Sequence, residues 1–96
     1  MKTVKKQNDW VLIRTYSAGV HFGILKSRKG KEVELTKARR IWSWCGAKTL
    51  NEIAMNGVAS GSKISQPVDK IILTEAIEII SMSSEAVKIL GALSWS

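Results

Sequence analysis

The sequence predicts a small β-rich α+β fold, in which an antiparallel sheet is accompanied by two short helices. Three observations support this prediction. β-Branched and aromatic residues are concentrated in short runs, as is typical of strands. A tight turn at residues 27–31 separates two of these runs, and short hairpin loops join antiparallel strands. Capping sequences at Thr49 and Ser83 each precede a short apolar segment that suits a helix.

Five runs are predicted to form the sheet. Gly19 and Gly23 in the second run indicate a bend, a bulge or a close approach of another backbone. Gly30 can adopt the left-handed conformation that a short hairpin loop needs. Residues 32–35 then alternate between charged and apolar, as a strand with one solvated face does. The predicted strands cover residues 10–16, 19–27, 31–36, 39–45 and 69–80.

The last predicted strand is rich in isoleucine, which favours strand. A helix over residues 73–80 is the alternative, because Thr74 and Glu75 can start one, and strand is preferred. Helices are predicted near 49–56, where Thr49 and Glu52 form a capping box, and near 84–90. Residues 58–67 are rich in glycine and serine and are predicted to form a loop.

Length and composition indicate one domain. The chain has 96 residues, of which 45% are hydrophobic and 24% charged, as in ordinary globular domains. Residues 1–9 are predicted to be a flexible basic N-terminus and residues 10–96 to form the domain. No apolar run approaches the length of a membrane span, and no signal-peptide pattern follows the basic start. The protein is therefore expected in the cytoplasm, without a membrane partner.

Positive charge is concentrated in the first half of the chain. Residues 1–48 carry 8 Lys and 4 Arg against 1 Asp and 2 Glu, whereas residues 49–96 carry 3 Lys against 1 Asp and 4 Glu. The net charge is therefore +9 in the first half and −2 in the second, within a total of +7. A one-sided field of this kind favours an anionic partner, such as a nucleotide or a nucleic acid.

Arginine and tryptophan combine in the run from Arg39 to Trp44. Strand alternation predicts that Arg40, Trp42 and Trp44 share one face, which suits either an anionic aromatic ligand or a subunit interface. The basic turn at residues 26–31 is either a solubilising hairpin tip or a phosphate-contacting loop. The candidate ligand-binding residues are Arg14, Arg28, Lys31, Arg39, Arg40, Trp42 and Trp44.

The sequence does not indicate an enzyme. His21 and Cys45 are the only histidine and the only cysteine. A lone histidine in a strand is usually structural, and a lone cysteine is most often a small buried residue. They provide no plausible zinc site, and no phosphate-loop or dinucleotide motif is present. We therefore expect no catalytic residue, no metal site and no cofactor.

Three motifs resemble a family of small uncharacterised proteins of bacteriophages and prophages: R-T-Y-S-A-G-V-H-F-G from Arg14, A-R-R-I-W-S-W-C-G-A from Ala38, and L-T-E-A-I-E-I-I from Leu73. The resemblance covers most of residues 10–80, and it carries over no functional residues. It implies an accessory protein acting in the cytoplasm of a bacterial host cell. Small phage proteins of this type often counter host defence, either as sponges that sequester nucleotide signals, like the Thoeris anti-defence proteins, or as anti-CRISPR inhibitors.

The leading hypothesis is therefore a non-catalytic phage accessory protein that binds an anionic nucleotide-like ligand, as a sponge that counters host defence signalling. Nucleic-acid binding is the first alternative. Inhibition of a host defence protein, as by an anti-CRISPR protein, is the second. A homo-oligomer is expected, because four tryptophans are many for a 96-residue domain and a small sheet exposes edges that association can cover.

Overall fold

The described part of the chain consists of six strands and two helices. A computed structural model describes residues 9–93, so the predicted flexible N-terminus, apart from Asp9, lies outside the described residues. The elements are β1 (Trp10–Thr15), β2 (Val20–Lys29), β3 (Glu32–Ser43), α1 (Leu50–Asn56), β4 (Lys63–Ile64), β5 (Val68–Leu73), β6 (Ala76–Ser81) and α2 (Ser84–Gly91). An antiparallel sheet with two short helices confirms the predicted α+β class.

The sheet curls on itself. Its strand order is β4-β3-β2-β1-β6, and β5 also pairs with β3, next to β4. β5 and β6 therefore lie at opposite ends of a path of paired strands, yet only Thr74 and Glu75 separate them in the chain. A connection this short brings the two ends together. Backbone hydrogen bonds from Ala76 N to the Lys31 carbonyl (3.0 Å) and from Tyr16 N to the Glu75 carbonyl (3.0 Å) hold the junction.

Each face of the curled sheet carries a buried apolar cluster. Leu12 and Ile13 are adjacent in β1 and fully buried, but they belong to different clusters, because successive strand residues point to opposite faces. The inner core, on the face that the curl encloses, comprises Val11, Ile13, Val33, Leu35, Ala38, Leu73 and Ala76. The helix-side core comprises Leu12, Phe22, Ile41, Ile53, Ala54, Val58, Ile64, Met82, Ala86 and Leu90.

Several predicted boundaries are wrong. β3 continues through residues 37–38, which separate the predicted strands 31–36 and 39–45. The predicted strand 69–80 is two strands, because Thr74 and Glu75 lead the chain from one end of the sheet to the other. The preference for strand over helix in residues 76–80 is confirmed. β4 lies within the predicted loop 58–67, where Ile64 pairs with Ile41 of β3.

A β-bulge explains why β3 continues. Phe22 pairs with Arg39 and Ile24 with Thr36, so Lys37 and Ala38 together face Gly23. Lys37 has a φ of 52°, in the left-handed region that a bulge residue can require. A Cβ on Gly23 would lie 2.9 Å from the Thr36 carbonyl oxygen and 3.1 Å from the Ala38 Cα. Glycine is therefore required opposite the bulge, which confirms for Gly23, though not for Gly19, the predicted close approach of another backbone.

The predicted hairpin and helix caps are confirmed. Lys29 pairs with Glu32, which leaves a two-residue loop in which Gly30 has a φ of 61°. The Thr49 side chain accepts a hydrogen bond from Glu52 N (3.2 Å), and the Ser83 hydroxyl accepts one from Ala86 N (3.0 Å). Among residues 9–93, neither helix has the length and apolar character needed to cross a membrane.

Candidate functional site

Arg39 and Arg40 are consecutive in β3 but face opposite sides of the sheet. Arg39 pairs with Phe22, a residue of the helix-side core, and Arg40 pairs with His21. Directly opposed residues in an antiparallel pair share a face. Arg39 therefore faces the helices, and Arg40 faces the same side as the inner core.

The Arg39 guanidinium is engaged within the protein. Arg39 is 8% exposed, and it donates to the carbonyls of Ser65 from Nε (2.9 Å), of Gly91 from Nη1 (3.5 Å) and of Leu93 from Nη2 (3.1 Å). Burial lowers the pKa of Arg39 from its ordinary value. The last carbonyls of a helix lack intrahelical partners, and Arg39 supplies donors to this end of α2. Its principal contacts are structural rather than directed at a ligand.

The Arg40 guanidinium is exposed and is held at one atom. Its Nε–H donates to His21 Nε2 over 3.1 Å. The Arg40 backbone is fixed by two bonds to Ser65, one from Arg40 N to the hydroxyl (2.8 Å) and one from Ser65 N to the Arg40 carbonyl (2.8 Å). Within residues 9–93, Arg40 Nη1 and Nη2 make no hydrogen bond. The outer edge of the guanidinium is therefore accessible to an anion.

His21 is a buried neutral imidazole. It is 1% exposed, and burial, together with the Arg40 charge, lowers the pKa of His21 to about 4. Because Nε2 accepts the Arg40 bond, the proton of the neutral ring is on Nδ1. This Nδ1 is buried and has no hydrogen-bond partner among residues 9–93. The imidazole thus serves as an acceptor for the arginine at neutral pH.

A cavity of about 230 Å³ lies beside Arg40. β2, β3, β5 and the segment between β4 and β5 contribute to its wall, and none of the lining residues within the described range 9–93 carries a carboxylate. The lining residues are His21, Ala38, Arg39, Arg40, Ser65, Gln66, Val68 and Ile71. Arg39 directs its guanidinium toward the end of α2, so the positive charge at the cavity comes from Arg40, and the cavity favours an anionic or neutral ligand over a cation.

Trp42 lies two residues beyond Arg40 in β3. Its side chain is 53% exposed, and Lys63 Nζ lies 5.8 Å from the ring centroid, within the range of a cation–π interaction. Arg40, Trp42 and Lys63 therefore combine two positive charges with an exposed indole along one end of β3. We call these three residues, with His21 and the adjoining cavity, the Arg40 site.

The other predicted ligand-binding residues lie elsewhere. Trp44 follows the end of β3, is half-buried and packs against the helix-side core, so the prediction that it shares a face with Arg40 is wrong. Arg14 is on the helix-bearing face, where its Nη1 lies 3.7 Å from Glu78 Oε1. Arg28 and Lys31 are exposed at the hairpin tip, and β3 places them roughly 20–30 Å of extended strand from Arg40.

Two residues of the Arg40 site, His21 and Lys63, are missing from the sequence prediction. For His21 a signal existed. A two-residue turn at Gly30 and Lys31 pairs Lys29 with Glu32, and counting back along both strands then pairs His21 with Arg40. The count holds because a bulge in β2 and a bulge in β3 compensate each other. Lys63 carries no such signal, since it reaches Trp42 through the two-residue strand β4.

Cys45 is exposed rather than buried as expected. Its Sγ lies 3.4 Å from the Ser60 carbonyl and 3.8 Å from the Ser62 hydroxyl. In the part of the chain that the structure describes, no three His, Cys, Asp or Glu side chains are grouped so that they can hold a metal ion.

Residues 8–90 match the family described as a domain of unknown function (DUF6948). Because the match covers most of the 96 residues, the chain belongs to this family. No curated protein and no solved structure matches the chain. The functional argument therefore depends on the geometry of the Arg40 site.

Proposed function

We propose that this member of the DUF6948 family is a non-catalytic protein that binds a small anionic, nucleotide-like ligand at the Arg40 site. One observation carries the proposal: within residues 9–93, the Arg40 guanidinium is fixed at Nε while its Nη edge is accessible, beside a cavity that no carboxylate of these residues lines. An arginine presented in this way suits a phosphate, which accepts two parallel hydrogen bonds from a guanidinium.

The arrangement suits a ligand that has both a ring and a phosphate. Ligand pockets for whole drug-sized molecules usually measure about 300–1,000 Å³, and the cavity of about 230 Å³ suits one part of a nucleotide. The apolar side chains of Ala38, Val68 and Ile71 favour the ring there, whereas the phosphate stays near Arg40 and Lys63, where it remains hydrated. The exposed indole of Trp42 offers a stacking surface.

We propose further that such binding sequesters a nucleotide signal of a bacterial host, in the host cytoplasm. The support is the resemblance to phage proteins, together with the character of the Arg40 site, since sequestration needs a binding site and no catalytic group. Under this proposal the protein is a sponge that counters host defence signalling.

A thermal-shift screen tests the binding proposal, because a ligand that binds the folded state raises the melting temperature. The probes are cyclic nucleotides, ADP-ribose derivatives and short oligonucleotides. With a ligand in hand, Arg40→Ala is expected to lower affinity by about 10- to 150-fold, from the loss of roughly 1.5–3 kcal/mol, and Trp42→Ala by a similar factor. Lys88→Ala, an exposed change on α2, is the charge control. Unchanged affinity in both Arg40→Ala and Trp42→Ala, with the fold intact, would show that the site is wrong.

The distribution of basic residues favours nucleic-acid binding as the second candidate. Arg28 and Lys31 lie too far along β3 to reach a mononucleotide bound at Arg40, whereas a single strand of several nucleotides spans both places. In that case affinity falls steeply and log-linearly with salt, and Arg28→Ala reduces the slope. A shallow salt dependence that Arg28→Ala leaves unchanged supports the small ligand instead.

We also propose that the protein acts as a homo-oligomer. Ile72 of β5 and Ile77 of β6 are 47% and 48% exposed on strands that flank the β5–β6 junction, and association removes such apolar side chains from water. Sedimentation at tens of micromolar is expected to show a species larger than 10.6 kDa. A 10.6 kDa monomer at that concentration would contradict the proposal.

A further inference from the structure

The contacts of the Arg40 site assign a specific task to His21. We infer that His21 is a positioning residue, whose neutral imidazole fixes the Arg40 guanidinium so that its Nη1–Nη2 edge is presented to the phosphate of the ligand. The inference deepens the proposed function and rests on it, because it states how the same site holds its anion.

The geometry of the pair supports this role. His21 and Arg40 are directly opposed in β2 and β3, so the backbone keeps the two side chains on one face. His21 is 1% exposed and cannot turn without disturbing the core, so its Nε2 is a fixed acceptor for Arg40 Nε over 3.1 Å. A long side chain that is otherwise exposed is thus restrained before any ligand arrives, which lowers the entropic cost of binding.

Holding the His21 ring with Nε2 as an acceptor destabilises the folded protein, because the other ring nitrogen, Nδ1, is then an unpaired donor within the described range. With Nε2 accepting, Nδ1 carries the proton, and this donor is buried without a partner among residues 9–93. A buried unpaired donor destabilises the folded state, and leucine at the same place would avoid that cost. An unsatisfied buried group calls for an explanation, and the bond from Arg40 to Nε2 provides one.

The bond also selects how the arginine binds. A guanidinium can hold two oxygens of an oxoanion through Nε and one Nη or through both Nη atoms. In this structure Nε is occupied by His21, so the end-on edge formed by Nη1 and Nη2 remains for the anion. Lys63, beside Trp42, supplies a second positive charge along the same end of β3.

The surroundings of His21 keep it an acceptor at neutral pH. Among residues 9–93, Arg40 is the charged side chain that faces His21 at the cavity, and Arg39 directs its guanidinium toward α2. β1 presents Ile13 opposite His21, and β5 contributes Val68 and Ile71. None of these groups stabilises a proton on Nε2, which agrees with the lowered pKa of His21. The Arg40 bond is therefore retained over the physiological range.

The test follows the Arg40 Nε–H resonance by NMR during a titration with inorganic phosphate. His21→Leu removes the acceptor, whereas His21→Gln restores one at a similar reach, and Lys88→Ala serves as the charge control. In the wild type, phosphate is expected to shift this resonance. In His21→Leu the phosphate affinity is expected to fall about 10-fold, the lower end of the loss found when a group that orients a metal-ligating side chain is removed. His21→Gln is expected to recover part of the loss, and the melting temperature of His21→Leu to be unchanged or raised.

Each outcome decides a different point. If phosphate leaves the wild-type Arg40 resonance unmoved, the proposed function fails at this site, and the positioning role fails with it. If Arg40 responds with equal affinity in the wild type and in His21→Leu, only the positioning role is overturned. A lower melting temperature without recovery in His21→Gln would assign His21 a purely structural role. If His21→Leu does not fold, the wild type decides, because the Arg40 Nε shift must then move as His21 protonates near pH 4.

Discussion

The two sides of β3 at Arg39 and Arg40 use the same side chain for different purposes. On the helix-bearing side, Arg39 is almost fully buried and donates to three backbone carbonyls. On the opposite side, Arg40 is exposed and donates to a single imidazole nitrogen. A buried guanidinium must satisfy its donors within the protein, whereas an exposed one keeps donors for a ligand. Burial, rather than residue type, thus separates a stabilising arginine from a binding one.

This contrast predicts its largest effect for the loss of Arg39. Arg39→Ala leaves the carbonyls of Ser65, Gly91 and Leu93 without these donors, and we expect it to reduce the free energy of unfolding by roughly 3–5 kcal/mol. That is a large share of the about 5–15 kcal/mol typical of a domain. Arg40→Ala is the matched comparison and is expected to cost less, about 1–2 kcal/mol, because it deprives a single buried acceptor, His21 Nε2, of its donor. Urea denaturation measures both, and equal losses would remove the distinction between the two sides.

The next effect is a dependence of stability on pH that arises on the Arg40 side. The pKa of His21 falls from 6.5 to about 4 in the folded protein, so between these values the unfolded chain binds a proton that the folded chain does not. The free energy of unfolding therefore decreases as the pH falls below 6.5, by up to about 3 kcal/mol in total, and the decrease levels off below pH 4. Urea denaturation at a series of pH values measures it. His21→Leu should lack this component, while the carboxyl groups titrate alike in both proteins. Parallel curves for the two proteins would contradict the prediction.

A smaller effect is expected at the bulge between β2 and β3, which determines the faces that Arg39 and Arg40 occupy. Gly23→Ala would place a Cβ against the Thr36 carbonyl oxygen and the Ala38 Cα, and backbone atoms cannot yield as a flexible side chain does. We expect a loss of about 1–3 kcal/mol, together with a perturbed Arg40 Nε–H resonance. Gly91→Ala in α2 is the control, since a Cβ there meets nothing within 4 Å. Thermal denaturation and NMR compare them, and equal stability of the two variants would argue against a strict glycine requirement.

The smallest effect concerns Lys37, the left-handed residue of the bulge. Its φ of 52° costs an ordinary residue about 1 kcal/mol, which glycine does not incur. Lys37→Gly is therefore expected to raise stability by up to about 1 kcal/mol, whereas Lys37→Ala, which keeps a Cβ, is not. Chemical denaturation with replicate curves resolves a difference of this size. An equal gain in both variants would point to the loss of the lysine charge instead of relief of backbone strain.

Much of the fold was predictable from local sequence. Turn chemistry at Gly30, the capping hydroxyls of Thr49 and Ser83, and the β-branched runs each act over a few residues, and each is found where the sequence predicts it. Arg40 and Trp42 lie two residues apart in one strand, as predicted, but the register of β3 against β4 shifts between Ile41 and Ser43, so the predicted shared face of Arg40 and Trp42 stays a prediction. The tertiary structure was needed for the end of β3, for β4 and for the division between β5 and β6, which depend on pairing between distant segments.

The sequence by itself therefore determined the α+β class, the hairpin, the helix caps and the placement of positive charge in residues 1–48. Tertiary structure decided which arginine is buried. Strict alternation from Leu35, in the inner core, would direct Arg39 inward and Arg40 toward the helices. The bulge at Lys37 reverses that phase, so Ala38 and Arg40 share the side of Leu35, and Arg39 reaches α2. One additional residue in a strand reverses every following side chain. Gly23 signals a bulge or a close approach, but only the pairing of β2 with β3 shows that the additional residue is in β3, before Arg39.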